Sequence, residues 1–205
     1  MMTSLPLSYG IATAALDGEA ECGDQYLIKK LSESVLIAVI DGLGHGKEAV
    51  YAAKEAVRAL NESDSESLIE LIHACHHALK KTHGAVLSLF QIQANNNISW
   101  LGVGNVTAIH WKKNYYAEKR TTIFLPQGGI VGLNLPLIQV GKFSVELGDT
   151  LILATDGIKP EFTSLKPMYP ATSQTIANYV FKSYQNPNDD ALVLVIQWKN
   201  TEVDS

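Results

Sequence analysis

The chain has 205 residues and a formal net charge of −5, and its hydrophobic content of 46% is ordinary for a globular protein. This length predicts a single domain over residues 1–205, and the mildly acidic balance without a basic stripe argues against nucleic acid as a partner. The amino terminus lacks the features of a signal peptide, and no apolar run approaches the ~20 residues needed to span a bilayer. We therefore expect a cytoplasmic protein that does not enter the membrane.

The first half of the chain changes from strand patterns to helix patterns. Strands are predicted at residues 9–16, 25–31 and 35–40. From Lys47 onward, apolar residues recur at three-and-four spacing and predict a helix. Ser63-Asp64-Ser65-Glu66 has the form of a capping box, which predicts a second helix with a buried face between Leu68 and Leu79. The two helices are expected to form an antiparallel pair.

The second half is dominated by strand patterns. They cover residues 84–93, 98–102, 106–111, 140–146 and 150–154, followed by one short helix within 170–184 and a last strand at 191–196. Asp149 follows Gly148 in a turn and is assigned a structural role. Neighbouring strands with helices grouped in pairs favour an α+β sandwich, because a doubly wound parallel fold would alternate strand and helix regularly.

Acidic residues stand at the ends of three apolar strand patterns. Asp41 and Asp156 each follow such a run, and Asp189 and Asp190 precede the last one. Asp24, between the first two strands, adds a further carboxylate. Carboxylates at the edge of a core need a neutralising partner, and Mg²⁺ and Mn²⁺ prefer oxygen ligands. The pattern predicts a divalent-metal site, although Asp41-Gly42, taken alone, also fits a simple strand-ending turn.

The glycine-rich segment after Asp41 resembles a nucleotide loop only superficially. A P-loop would need glycine at Asp41 and Ser or Thr at Glu48, and a dinucleotide fingerprint would need glycine at Lys47. A nucleotide-binding enzyme is therefore disfavoured.

Gly42 has no side chain, so its carbonyl can approach an ion closely. His45 either takes part in the site or caps the loop, and the sequence leaves both interpretations open.

Three histidines and two cysteines are assigned no chemistry. His73, His76 and His77 lie off the apolar stripe of the second helix, which favours a solvated polar face over a zinc site. Cys22 and Cys75 form no C-x-x-C pair and are expected to be reduced thiols, the second of them in a helix core.

An ordered set of short motifs extends over nearly the whole chain. The set comprises Cys22-Gly23-Asp24, Asp41-Gly42-Leu43-Gly44-His45-Gly46, Gly84-Ala85-Val86, Val103-Gly104-Asn105, Thr155-Asp156-Gly157 and Asp189-Asp190. It resembles the metal-dependent PPM (type 2C) Ser/Thr phosphatases, especially their SpoIIE/RsbU-like bacterial branch. The resemblance implies a sandwich of two antiparallel β-sheets flanked by paired helices, with a minimal flap and two Mn²⁺ (or Mg²⁺) ions at one end.

The resemblance also implies roles for individual residues. Asp41 would bridge both ions and hold the nucleophilic water, Asp24 and the Gly42 carbonyl would complete one ion site, and Asp156 and Asp189 would hold the other. Residues that would support or replace these ligands are Asp190, His45, Gly157 and Asn105. The family often has Asp where Asn105 stands, which argues against a third metal.

The implied activity is that of a protein phosphoserine/phosphothreonine phosphatase with a two-metal mechanism. Since the chain resembles stand-alone catalytic domains of this family, the resemblance implies phosphorylated STAS-domain proteins of the stressosome, RsbS-like and RsbR-like, as substrates. The enzyme would be a monomer that acts as a negative feedback regulator of the general, sigma-B-dependent stress response. The alternative is a non-catalytic module of the same fold that binds the phosphoprotein and releases no phosphate.

Overall fold

A computed structural model describes residues 7–113 and 121–199 of the chain. Within these ranges, ten strands form two five-stranded sheets in which neighbouring strands are antiparallel. In spatial order, the first sheet consists of β2 (Asp24–Lys30), β3 (Ser34–Gly42), β4 (Ala85–Gln93), β5 (Asn97–Val103) and β8 (Gly141–Ser144). The second consists of β1 (Leu7–Ala14), β10 (Ala191–Trp198), β9 (Thr150–Ala154), β6 (Thr107–Trp111) and β7 (Thr121–Phe124).

Within the described ranges, three α-helices cover the outer faces of the sheets. They are α1 (Lys47–Glu62), α2 (Leu68–Ala78) and α3 (Ser173–Tyr184). One short 3-10 turn, Leu79–Lys81, follows α2, and another, Pro160–Ser164, lies between β9 and α3. Helices α1 and α2 pack on the first sheet and α3 packs on the second. Among the described residues, no helix is long and apolar enough to cross a membrane.

The period-two alternation of the strands separates the core into three layers. In β3, Leu36, Ala38 and Ile40 face α1 and α2, whereas Ile37 and Val39 face the opposite sheet. Both sets are fully buried, so this strand is apolar on both faces. A strand that is covered on both sides explains the continuous apolar run in the sequence.

The structure confirms the predicted α+β sandwich and the antiparallel helix pair. The second sheet is covered by α3 alone among the described helices, rather than by a pair. Strand β7 was missed by the sequence analysis. It has only four residues, lies at the edge of its sheet and buries only Phe124, so it carries no alternating pattern long enough to detect.

The predicted capping box is wrong by four residues. Ser63 ends α1 as its C-cap, and α2 begins after Ser67, whose side chain accepts the backbone N–H of Glu70 at 3.4 Å. The carboxylate of Glu66 instead accepts a hydrogen bond from the Ser34 hydroxyl at 3.2 Å. Glu66 is therefore engaged with the start of β3, and the Ser-x-x-Glu pattern that recurs at Ser67 is the one that caps the helix.

Both cysteines are free thiols, as expected. Cys75 lies in α2 and is fully buried in the core that α2 shares with α1. Burial raises the pKa of its thiol to about 12. Burial also raises the pKa of the Cys22 thiol, to about 11. Neither thiol is therefore activated for nucleophilic chemistry.

Candidate metal centre

Two acids of the first sheet are direct neighbours across a strand pair. Asp24 begins β2, Asp41 lies one residue before the end of β3, and the two are register partners. Opposed residues in an antiparallel pair project from the same face of the sheet. Asp24 is only 3% exposed and Asp41 is partly buried, so two carboxylates share one poorly solvated position.

The second sheet places its acids at the same end of the sandwich. Asp156 lies just beyond β9, and Asp189 and Asp190 lie just before β10, which is the antiparallel neighbour of β9. The hydroxyl of Thr155 donates to Oδ2 of Asp24 at 2.6 Å and thereby connects the two sheets. Four chain segments that are distant in sequence thus converge on one edge of the core.

Burial and mutual repulsion dominate the electrostatics of this cluster. Burial raises the pKa of Asp24 to about 7; the Thr155 hydrogen bond opposes this rise, and Asp190, Asp156 and Asp189 add to it. Burial followed by the charge of Asp24 raises the pKa of Asp41 to about 8, with further contributions from Asp156, Asp189 and Asp190. In the described part of the chain, no Lys or Arg forms an ion pair with any of the five acids.

The two adjacent acids Asp189 and Asp190 have different surroundings. Both carboxylate oxygens of Asp190 accept backbone N–H groups, from Leu16 at 2.8 Å and from Gly23 at 3.0 Å. Asp190 therefore ties the β1–β2 connection to the start of β10. The pKa of Asp189 is raised by burial and by Asp156, and the nearby exposed imidazole of His45 opposes this rise. Asp189 is thus the better candidate ligand of the two.

The backbone around Asp41 is held by close packing. A Cβ at Gly42 would lie 2.0 Å from the carbonyl oxygen of Ala49, so only glycine lets α1 approach the end of β3 this closely. The next residue, Leu43, donates its N–H to the carbonyl of Gly84 at 3.0 Å. The Asp41 loop is therefore fixed on one side by α1 and on the other by the residue that precedes β4.

The other two predicted supporting residues lie beside the second sheet's acids. Asn105 is exposed, and its amide Nδ2 donates to Oδ2 of Asp156 at 2.7 Å. The backbone of Gly157 lies against the carbonyl of Asp190, where a Cβ would come within 1.9 Å. Both positions therefore contact the acidic cluster.

The donor set is chemically suited to a hard divalent cation. It consists of carboxylate oxygens, which are the ligands that Mg²⁺ and Mn²⁺ prefer. Metals that prefer thiolate or imidazole ligands fit this set less well. The described side chains do not form a closed cage, since no three or more His, Cys, Asp or Glu residues among them converge closely enough to hold an ion. Asp24 and Asp156 instead make the hydrogen bonds to Thr155 and Asn105 given above.

Sequence reasoning did not assign a role to Thr155. Its Oγ1 donates to Asp24 and also accepts the backbone N–H of Leu192 at 2.9 Å, and the residue is 1% exposed. A hydroxyl residue immediately before a motif acid was a visible signal. Its partner could not be named, because Asp24 lies 131 positions away and in the other sheet.

Residues 32–199 match the sequence profile of the family described as Stage II sporulation protein E (SpoIIE). The match covers most of the chain, including both acid-bearing ends of β9 and β10. The chain belongs to the SpoIIE family. This confirms the family resemblance drawn from the motifs, and with it the class of protein phosphatases.

Individual relatives agree with this assignment. The chain is 29% identical over 147 residues to phosphoserine phosphatase RsbX of Bacillus subtilis (strain 168), a match covering 69% of this chain and 70% of RsbX. A solved structure described as "The bacterial stressosome: a modular system that has been adapted to control secondary messenger signaling" is 29% identical, with a TM-score of 0.83 over 93% of this chain and 99% of that one.

The crystal structure of RsbX in complex with magnesium has the same fold. Its TM-score is 0.80 at 23% identity, over 93% of this chain and 94% of that one. The two-sheet architecture described above is therefore shared with this phosphatase.

Proposed function

We propose that the chain is a metal-dependent protein phosphoserine/phosphothreonine phosphatase that holds two divalent ions, Mn²⁺ or Mg²⁺, at the acidic end of the sandwich. The observation that carries the proposal is the convergence of acids from four segments into one partly buried cluster that forms no ion pair with Lys or Arg among the described residues. Clustered carboxylates with raised pKa values and no counter-ion are the expected state of a cation site built by a protein.

The positions of the acids support the proposed roles of the ligands. Asp41 lies opposite Asp24 and interacts electrostatically with the acids of both sheets, so it is best placed to bridge two ions. The Gly42 carbonyl and Asp24 belong to one ion site, and Asp156 and Asp189 to the other. The support for choosing Asp189 over Asp190 is that both oxygens of Asp190 already accept backbone N–H groups.

When bound, divalent ions supply a water of lowered pKa and neutralise charge on the phosphoryl oxygens. The chain's own residues prepare this chemistry by fixing the ligands. Thr155 holds one oxygen of Asp24, and Asn105 holds one oxygen of Asp156. His45 is exposed and lies close enough to Asp189 to oppose the rise in its pKa, so we propose that it meets the incoming phosphate ester. No cysteine nucleophile is needed, in agreement with the raised pKa values of both thiols.

The substrates we propose are phosphorylated STAS-domain proteins of the stressosome. The similarity to phosphoserine phosphatase RsbX and to the stressosome-related structure supports this choice. In this role the protein acts in the cytoplasm, as a monomer, and as negative feedback on the general, sigma-B-dependent stress response.

The test is phosphate release from phosphorylated RsbS-like and RsbR-like proteins, measured with Mn²⁺, with Mg²⁺ and with excess chelator. We expect release that depends on the metal and is abolished in Asp41→Asn. Asp64→Asn is the matched control, because it removes one exposed carboxylate between α1 and α2, away from the cluster. Binding of the phosphoprotein without release in either metal would instead identify the non-catalytic module.

A further inference from the structure

His76 departs from the solvated polar face that the sequence predicts for α2. His73 and His77 are exposed, but His76 is partly buried. Its Nδ1 accepts the backbone N–H of Gly132 at 3.0 Å, across 56 positions of sequence. To accept this hydrogen bond, Nδ1 must carry no proton, so the imidazole is neutral and protonated on Nε2.

The partner of His76 belongs to a tight turn between Ile130 and Asn134, here called the 130–134 turn. Ile130 and Asn134 exchange two backbone hydrogen bonds, of 3.0 and 2.9 Å, that close the turn. Gly132, at its centre, has a φ of 102°. A Cβ there would lie 2.7 Å from the Cβ of Leu79. Gly132 is thus held directly against the end of α2.

The 130–134 turn is in turn bonded to the loop of the acidic cluster. Val131 and Ala85 exchange backbone hydrogen bonds of 3.0 and 2.9 Å, and the carbonyl of the preceding Gly84 accepts the N–H of Leu43. Leu43 lies two residues after Asp41. A continuous path of hydrogen bonds and adjacent residues therefore runs from His76 through the turn to the backbone of the Asp41 loop.

From this path we infer that His76 is a positioning residue, which fixes the backbone of the Asp41–Leu43 segment by anchoring the 130–134 turn through its neutral imidazole. The inference rests on the proposed function for its catalytic consequence, but the anchoring itself does not. Protonation of Nδ1 removes the only lone pair that can accept the Gly132 N–H, so the anchor is present only when His76 is neutral.

The surroundings of His76 favour the neutral form. Burial lowers its pKa below the usual histidine value, and the charges of Lys80, His77 and His73 on the same helical segment lower it further. The 130–134 turn, which contacts it from the other side, contains no charged residue. A histidine with a lowered pKa is uncharged at neutral pH, and the anchor is lost as the pH falls through that lowered value.

The variants that test this role differ in whether they keep a hydrogen-bond acceptor at this position. His76→Asn places Oδ1 where Nδ1 stands, because both atoms are bonded to Cγ, and it accepts a hydrogen bond at every pH. His76→Phe keeps a ring and has no acceptor. His77→Phe is the matched control on the exposed side of α2.

The decisive measurement is amide hydrogen exchange of the metal-free full chain, normalised to intrinsic exchange rates. At pH 7.5 we expect His76→Phe to exchange at Gly132 about tenfold faster than the wild type, as expected for loss of one hydrogen bond, with faster exchange also at Leu43. His76→Asn and His77→Phe should keep wild-type protection. Unchanged protection of Gly132 in His76→Phe would overturn the inference.

A pH series separates positioning from a merely structural contribution. As the pH falls from 8 to 5, wild-type protection of Gly132 should decrease relative to His76→Asn, which has no titrating group at this position. Parallel profiles would refute the neutral-imidazole anchor. In the phosphatase assay we expect a several-fold lower kcat for His76→Phe, restored in His76→Asn. Absence of activity in the wild type would contradict the proposed function and leave the exchange result intact.

Discussion

The Thr155 hydroxyl donates to the Asp24 carboxylate at 2.6 Å, and this one contact joins the two sheets beside the acidic cluster. The same oxygen accepts the N–H of Leu192, so Thr155 is fixed by β10 while it holds Asp24. The hydrogen bond lowers the pKa of Asp24 against the stronger effect of burial. It therefore favours the ionised form that a metal requires.

Replacing Thr155 by Val should weaken metal binding. Without the hydroxyl, the pKa of Asp24 rises further and a proton competes more strongly for the carboxylate. We expect roughly tenfold weaker Mn²⁺ binding by calorimetry at pH 7, and about 1–3 kcal/mol lower stability because the Leu192 N–H loses its acceptor. Thr155→Ser, which keeps the hydroxyl, should behave like the wild type. Wild-type Mn²⁺ affinity in Thr155→Val would contradict this role.

Asp41→Asn should separate metal binding from folding. It removes an acid whose ionised form is disfavoured by burial and by the other acids, so the metal-free variant should unfold at a higher temperature than the metal-free wild type. Its phosphatase activity should fall more than about 100-fold, since the loss concerns both ion sites. Thermal unfolding with and without Mn²⁺ checks both effects, because only the wild type should gain stability from the ion. A destabilised metal-free variant would show that Asp41 is instead a structural acid.

The two neighbouring acids before β10 should respond differently to the same substitution. Asp189→Asn should abolish metal-dependent activity and leave the stability of the metal-free protein unchanged or higher. Asp190→Asn replaces an acceptor oxygen by an N–H₂ group, which cannot pair with the N–H of Leu16 or Gly23. We expect it to lose about 1–3 kcal/mol of stability while the folded fraction stays active. Activity and denaturant unfolding, measured on both variants, decide the assignment, and the reverse pattern would make Asp190 the ligand.

The stability of the metal-free protein should fall as the pH rises. The pKa values of Asp24 and Asp41 are raised to about 7 and about 8, from an ordinary value of 3.8 for an aspartate. Between these limits the folded state binds more protons than the unfolded state, so the free energy of unfolding decreases with pH and the stabilisation is lost above the folded pKa values. Melting temperatures from pH 5 to pH 8.5 in chelator should show this decline. Asp24→Asn/Asp41→Asn should flatten it, and a rising wild-type curve would contradict the pKa shifts.

Asp149, at the other end of β9, should matter for folding and not for catalysis. It is 3% exposed and accepts hydrogen bonds from His110 at 2.8 Å and from the backbone N–H groups of Lys113 and Glu146. Burial tends to raise its pKa, but these bonds outweigh burial and the pKa is lowered. Asp149→Ala should therefore cost about 3 kcal/mol by leaving these donors unpaired.

Denaturant unfolding measures this loss, and the activity of the folded fraction should stay at the wild-type level. Because the pKa is lowered, the contribution of Asp149 is present at neutral pH and disappears as the pH falls through its folded pKa. A loss of activity without a loss of stability would contradict the structural role.

Much of the site could be read from local sequence. The apolar runs ending in Asp41 and Asp156 predict strands with an acid at the edge, because the pattern of apolar residues is a local property of each segment. The glycine at residue 42 was equally visible in the sequence. The structure adds the reason for it, because a Cβ at this position would lie 2.0 Å from the carbonyl oxygen of Ala49.

Tertiary structure decided the relationships between segments. The pairing of Asp24 with Asp41 depends on strand register, and the Thr155–Asp24 and His76–Gly132 contacts depend on how layers stack. Both contacts join residues with no local pattern in common. The sequence by itself determined which residues are acidic and where the acid-bearing strands end. Only the packing of two sheets and a helix pair could bring those ends together, since long-range contacts arise from burial of the whole core rather than from any single segment.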